Sequence, residues 1–139
     1  MKSRIKLVEN MQFVGTGDSG HSVVMDGPPS VGGEDSGARP SELLLTGFGG
    51  CSGMDVISIL RKKKQDVTNF EMNVDGTTAE NHPRYFTDIH IEYVITGRDI
   101  SEDAVKRSIN LSLDKYCMVG TTIKKTANIT YSYKIIQEP

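Results

Sequence analysis

The chain has 139 residues, a length that suits one domain spanning 1–139. Its 16 basic and 18 acidic residues nearly cancel, which argues against a nucleic-acid footprint or attraction to an anionic membrane. A lone domain of this size buries roughly two thirds of the surface its unfolded chain exposes, so a real core is available. No run approaches the ~20 apolar residues that a membrane helix needs. The opening Met1-Lys2-Ser3-Arg4-Ile5-Lys6 is charged and has no apolar run after it, so no secretory leader is expected. An intracellular, cytoplasmic setting with reduced thiols is the expectation.

Residues 3–8 alternate polar and apolar at the strand period. Residues 11–15 and 21–25 are short strand candidates set between glycine-rich turns, and the three read as an antiparallel meander. Residues 27–38 hold four glycines and two prolines and read as a loop, of a length that often carries function. Pro40 suits a first helical position, and Glu42 suits the positive end of the helix dipole. The helix is predicted to run to the Arg61-Lys62-Lys63-Lys64 cluster, whose cations suit its C-terminal end. It is apolar on most sides, through Leu43, Leu44, Leu45, Phe48, Met54, Val56, Ile57, Ile59 and Leu60, and so reads as central and buried. Gly47, Gly49, Gly50 and Gly53 each cost about 1 kcal/mol relative to alanine inside a helix, and close approach of another helix or backbone is the simplest reason for them.

Strands follow at 70–79 and 86–96, joined by Glu80-Asn81-His82-Pro83-Arg84, and the second alternates Phe86, Asp88, His90 and Glu92 against Thr87, Ile89, Ile91 and Tyr93. Ser101 begins a second helix, with Glu102 and Asp103 in its first turn and apolar positions through Tyr116. Cys117 lies at or just past its end, a short helical turn follows, and residues 126–136 make the last strand. The class is α+β, an antiparallel sheet with two main helices against one face.

The chemistry rests on two cysteines. Cys51 stands in a nearly apolar, glycine-rich run, and Cys117 comes 66 residues later, beside Tyr116 and Met118. A thiol reacts as its thiolate, which a guanidinium or a helix N-terminus favours and apolar burial disfavours. Cys51 lies too deep in its helix for much help from the helix end, so a side-chain cation is needed. Arg39 is the arginine nearest before it, and Glu42 is placed to orient Arg39. Read as structural residues instead, Arg39 is a solvated loop charge, Glu42 a dipole-pairing carboxylate, and both cysteines are buried small hydrophobes. Asp55, four residues after Cys51, shares its helix face and calls for a bonding partner on a neighbouring element. His21, His82 and His90 are far apart, and no zinc spacing, Cys–His hydrolase pattern or phosphate loop occurs, so no metal or cofactor is expected.

From Pro40-Ser41-Glu42-Leu43 to Cys51-Ser52-Gly53-Met54-Asp55-Val56, and again at Glu80-Asn81-His82-Pro83-Arg84-Tyr85-Phe86 and Lys115-Tyr116-Cys117, the chain resembles the OsmC/Ohr family, in its YhfA-like branch. The resemblance spans essentially the whole chain. It implies an intertwined homodimer whose sheets wrap two long central helices. It also implies a thiol-dependent peroxidase acting on small apolar organic hydroperoxides. Cys51 then resembles the peroxidatic cysteine and Cys117 the resolving one, with a dithiol donor reducing their disulfide. Two positions depart from the best-studied members. Ser41 stands where their glutamate follows the proline, with Glu42 one place later. Residues 5–38 hold no arginine to match the one on their early strand, which leaves Arg4 or Arg39, and Arg39 is preferred. The alternatives are a carrier of a small apolar ligand and a redox sensor that forms the disulfide but turns over poorly.

Overall fold

A computed structural model describes all residues, Met1–Pro139. The chain divides into two compact units, Met1–Leu44 and Leu45–Pro139.

In the first unit, β1 (Ser3–Glu9), β2 (Gln12–Gly17) and β3 (Ser22–Met25) form an antiparallel meander in that order. The register sets Leu7 opposite Phe13 and Phe13 opposite Met25, so Ile5, Leu7, Phe13, Val23 and Met25 share one face. That face is open: Ile5 is 56% exposed, Leu7 50% and Phe13 36%. Gly15 lies on the same face, where an added Cβ would meet Met25 Cε at 3.3 Å. The loop over 27–38 contains one 3₁₀ turn, Pro29–Val31.

Helix α1 (Pro40–Lys62) starts at the expected proline. In the second unit it is followed by β4 (Asp66–Thr78), β5 (Phe86–Arg98), α2 (Glu102–Leu111), a π turn (Ser112–Tyr116), α3 (Met118–Ile123) and β6 (Asn128–Gln137). The α+β class holds: α1 and α2 are the two main helices, and α3 is the short helical turn expected after Cys117. The sheet departs from the antiparallel expectation: β4 and β5 are antiparallel, but β6 runs parallel to β5, from Asp88 opposite Asn128 to Gly97 opposite Gln137. The cause is connectivity. A parallel neighbour needs a crossover of a dozen or more residues, and α2, the π turn and α3 supply it.

The core lies in this unit. Ile89, Ile91, Tyr93 and Ile95 alternate inward along β5 and meet Phe48, Val56 and Leu60 of α1 and Val105 and Ile109 of α2. Each such buried side chain contributes about 1.5–3 kcal/mol of transfer free energy. The α1 residues they meet (Phe48, Ser52, Val56, Leu60) recur every four positions, which makes one narrow stripe. The expectation of a helix buried all round is therefore corrected for the single chain, since Met54 on α1 is 73% exposed. By length and mean hydropathy (23 residues, 1.6) α1 would suffice to cross a bilayer, but its stripe packs into this core as the central helix of a folded domain does. The helical glycines divide the same way. A Cβ on Gly49 would meet Val74 Cγ2 at 3.1 Å and one on Gly53 would meet Met72 Sδ at 2.8 Å, so β4 explains these two. Gly47 and Gly50 face open space.

Candidate redox site

Cys51 sits at the midpoint of α1, half-buried, and packs against the core of the Leu45–Pro139 unit. Cys117 is fully buried in that same core, and both are free thiols. Cys117 has extended backbone angles (φ −72°, ψ 102°), which end the π turn and begin α3. Its Sγ accepts a hydrogen bond from Gly120 N–H at 3.3 Å, so the thiol caps α3 in the way a serine would. A Cβ on Gly120 would lie 2.9 Å from Phe48 Cε1 and 3.3 Å from Cys117 Sγ, so glycine is needed for this close packing.

Burial pushes the Cys117 thiol up to about 12 from its ordinary 9.0. The Gly120 N–H opposes this, and the neighbouring Cys51 thiol and the Asp55 carboxylate add to it. Cys117 is thus held as a neutral thiol at neutral pH, and Cys51 is the more accessible of the two sulfurs.

Between the two cysteine segments lies a polar cluster in an apolar core. Ser52 Oγ is 2.6 Å from Tyr93 Oη and 2.8 Å from Ser112 Oγ. Ser112 Oγ donates to Asp55 Oδ2 at 3.0 Å, and Ser112 O accepts from Cys117 N–H at 2.8 Å. Asp55 thus finds its partner on the π turn. Burial pushes the Tyr93 phenol up to about 12, so it stays protonated.

The two remaining predicted site residues lie in the Met1–Leu44 unit. Arg39 precedes α1, where its side chain pairs with Asp35 at 2.8 Å and donates to Gly37 O at 3.2 Å. Glu42, at the third helical position, accepts from Arg39 N–H at 3.0 Å, which is the returning half of a capping box. Glu42 therefore contacts the Arg39 backbone, and Asp35 is the carboxylate on the guanidinium.

Four residues escaped the sequence reading. Ser52, Tyr93 and Ser112 form the buried cluster, and Asp26 organises the loop. Asp26 is buried and accepts from Gly27 N–H (2.7 Å), Glu34 N–H (3.2 Å), Ser36 N–H (3.1 Å) and Ser36 Oγ (2.5 Å). The Ser36 hydroxyl, with help from these amides, holds its carboxyl down at about 2. One signal for the cluster was present. Tyr93 falls on the inward face of an otherwise aliphatic strand, and a buried phenol needs a partner.

A family model described as OsmC-like protein matches residues 33–132. The chain belongs to the OsmC-like family. It is 41% identical to Protein YhfA of Escherichia coli K12 over 136 residues, which cover 98% of each protein. A hypothetical protein from Aquifex aeolicus shares the fold at 31% identity and a TM-score of 0.87, covering 99% of this chain and 97% of its own. An organic hydroperoxide resistance protein OsmC from Legionella pneumophila, also described as a predicted redox protein, superposes with a TM-score of 0.71 at 14% identity, over 96% of this chain and 97% of its own. That last likeness concerns the fold alone.

Proposed function

We propose that the protein is a thiol-dependent peroxidase that reduces small apolar organic hydroperoxides. The observation that carries this reading is the pairing of an accessible thiol, Cys51, with a buried, protonated thiol, Cys117, in one core of an OsmC-family chain. The Cys51 thiolate attacks the distal peroxide oxygen. The O–O bond breaks, Cys51 becomes a sulfenic acid, and the alcohol leaves with a proton from solvent. Cys117 then attacks the sulfenic sulfur. An S–S bond forms, the S–O bond breaks, and the Cys117 proton leaves with the hydroxide as water. A dithiol reductant restores both thiols by exchange. Arg39 is the activating cation in this scheme and Glu42 the carboxylate that supports it through the Arg39 backbone. Activation then requires the guanidinium to exchange or share its Asp35 partner.

The working form in this reading is a cytoplasmic homodimer of one family domain, 1–139. The open apolar face of the β1–β3 sheet supports it, as does a groove of about 570 Å³ along α1 lined by Gly49, Gly50, Gly53, Met54, Phe70 and Met72. The test is consumption of cumene hydroperoxide with a dithiol donor. Cys51→Ser is expected to fall to the uncatalysed rate, and Cys117→Ser to stop after one oxidation with a stable sulfenic acid. Wild-type turnover in Cys51→Ser would refute the reading.

A second reading has one observation in its favour. Ile5, Met11, Phe13, Met25 and Val31 wall an apolar pocket of about 540 Å³ that also includes Arg39. A carrier of a small apolar ligand would use such a pocket, and co-purified lipid with a Cys51 no more reactive than free cysteine would favour it.

A further inference from the structure

Ser52, Tyr93 and Ser112 are completely buried in a largely apolar core, where the other buried hydroxyl, Ser108, donates within its own helix to Ala104 O. Their hydrogen atoms can be assigned one by one. Ser112 Oγ donates to Asp55 Oδ2. Ser112 has then spent its one proton and must accept from Ser52. Ser52 has spent its own and must accept from Tyr93, whose phenol is protonated. The direction is fixed along the whole chain, Tyr93 to Ser52 to Ser112 to Asp55, and every buried polar side-chain atom is satisfied.

The placement of this chain is specific. Its acceptor, Asp55, and its second member, Ser52, stand four and one residues after Cys51 on α1. Its third member, Ser112, closes α2 and opens the π turn, and the Ser112 carbonyl holds the Cys117 amide at 2.8 Å. Two side-chain bonds therefore tie the Cys117-bearing turn to the Cys51-bearing helix. An apolar core of the same shape would serve stability at least as well, because matched polar pairs return little net free energy over apolar replacements. What the directional bonds add is register.

Resting on the assignment of Cys51 and Cys117 as the peroxidatic and resolving pair, we propose that Tyr93, Ser52, Ser112 and Asp55 are positioning residues that hold Cys117 for its attack on oxidised Cys51. They set the rate and equilibrium of disulfide formation and leave the first oxidation unaffected. Ser112 is the pinch point and Tyr93 the outermost link.

The experiment compares wild type, Ser112→Ala and Tyr93→Phe, each first shown to be folded by circular dichroism. Tyr93→Phe removes only a terminal donor and strands no buried proton, so it serves if Ser112→Ala fails to fold. The first step is read in a Cys117→Ser background as sulfenic-acid formation by mass spectrometry. The second is read as the Cys51–Cys117 midpoint potential in dithiol buffers, with the disulfide made by diamide so that no peroxide is needed. Ser112→Ala is expected to shift the thiol–disulfide equilibrium about tenfold, roughly 30 mV for this two-electron couple. Tyr93→Phe should shift it about threefold, and both should keep first-step rates within about twofold of wild type. Folded variants with an unchanged potential, or with both steps slowed alike, would overturn the positioning role. If wild type ignores hydroperoxides yet the potential shifts as expected, the peroxidase reading fails and the positioning role stands. If diamide makes no Cys51–Cys117 disulfide in wild type, both fall.

Discussion

The two units of the chain are held together by different physics. Leu45–Pro139 has a dense apolar core with a satisfied polar cluster inside it. Met1–Leu44 buries no large apolar side chain at all, and its one buried charged group is Asp26. Its order comes from a hydrogen-bonded meander and from a carboxylate gathering loop amides. A segment of this length lies near the lower limit, about 40 residues, at which a chain folds without outside support. The contrast separates a unit with its own apolar core from one whose apolar sheet face is open, the face that the homodimer proposed above would cover.

The largest effects that probe this contrast come from one substitution on each side. Phe48→Ala should cost about 3–5 kcal/mol in urea unfolding, as expected for a fully buried aromatic. Phe13→Asp should instead act on assembly, moving sedimentation toward monomer while the core of the second unit keeps its near-ultraviolet signal. A Phe13→Asp protein that remains dimeric would break the contrast.

The units should also fail at opposite ends of the pH scale. The folded value of Asp26 is depressed from 3.8 to about 2, so its contribution is present above 3.8 and lost as pH falls through about 2. Asp26→Asn should flatten the acid limb of a stability profile between those values. The folded values of Cys117 and Tyr93 are raised to about 12 from 9.0 and 10.0. Their contribution is present below the ordinary values and lost as pH rises through about 12. Cys117→Ser should flatten the alkaline limb, and thermal melts across both ranges check the pair.

Freeing Arg39 is a smaller probe. Asp35→Asn removes the carboxylate 2.8 Å from the guanidinium. Iodoacetamide labelling of Cys51 should then speed up by a few-fold on the activating scheme, and an unchanged rate would remove Arg39 from it. The smallest effect compares two glycines. Gly53→Ala must displace Met72 Sδ, whereas Gly50→Ala meets nothing within the chain. In a monomer Gly50→Ala should add about 1 kcal/mol of stability by helix propensity. In a dimer seated on that groove it should weaken association, which dilution in a sedimentation experiment detects.

Most of the element order was legible because it is local chemistry. Pro40 with Glu42 marked the start of α1, and the alternation at Ile89, Ile91 and Tyr93 marked β5. The parallel pairing of β6 was not legible, because strand direction follows from the path of a crossover and no residue of 128–137 encodes it. The burial of α1 was overread, since an apolar composition shows what a helix can cover and leaves open what covers it. Of the candidate site, the two cysteines stood out by residue type. The Tyr93–Ser52–Ser112–Asp55 chain did not, because serines are read as surface or capping residues until a fold brings three elements together. Glu42 was placed correctly in the first turn, but its contact is the Arg39 amide and the guanidinium is taken by Asp35.

The most direct test of the account is the mass of reduced protein after one equivalent of cumene hydroperoxide. The account predicts the loss of two hydrogen atoms, mapped by digestion to a Cys51–Cys117 link and absent in either single cysteine variant. Protein that keeps both thiols while the peroxide persists would contradict it.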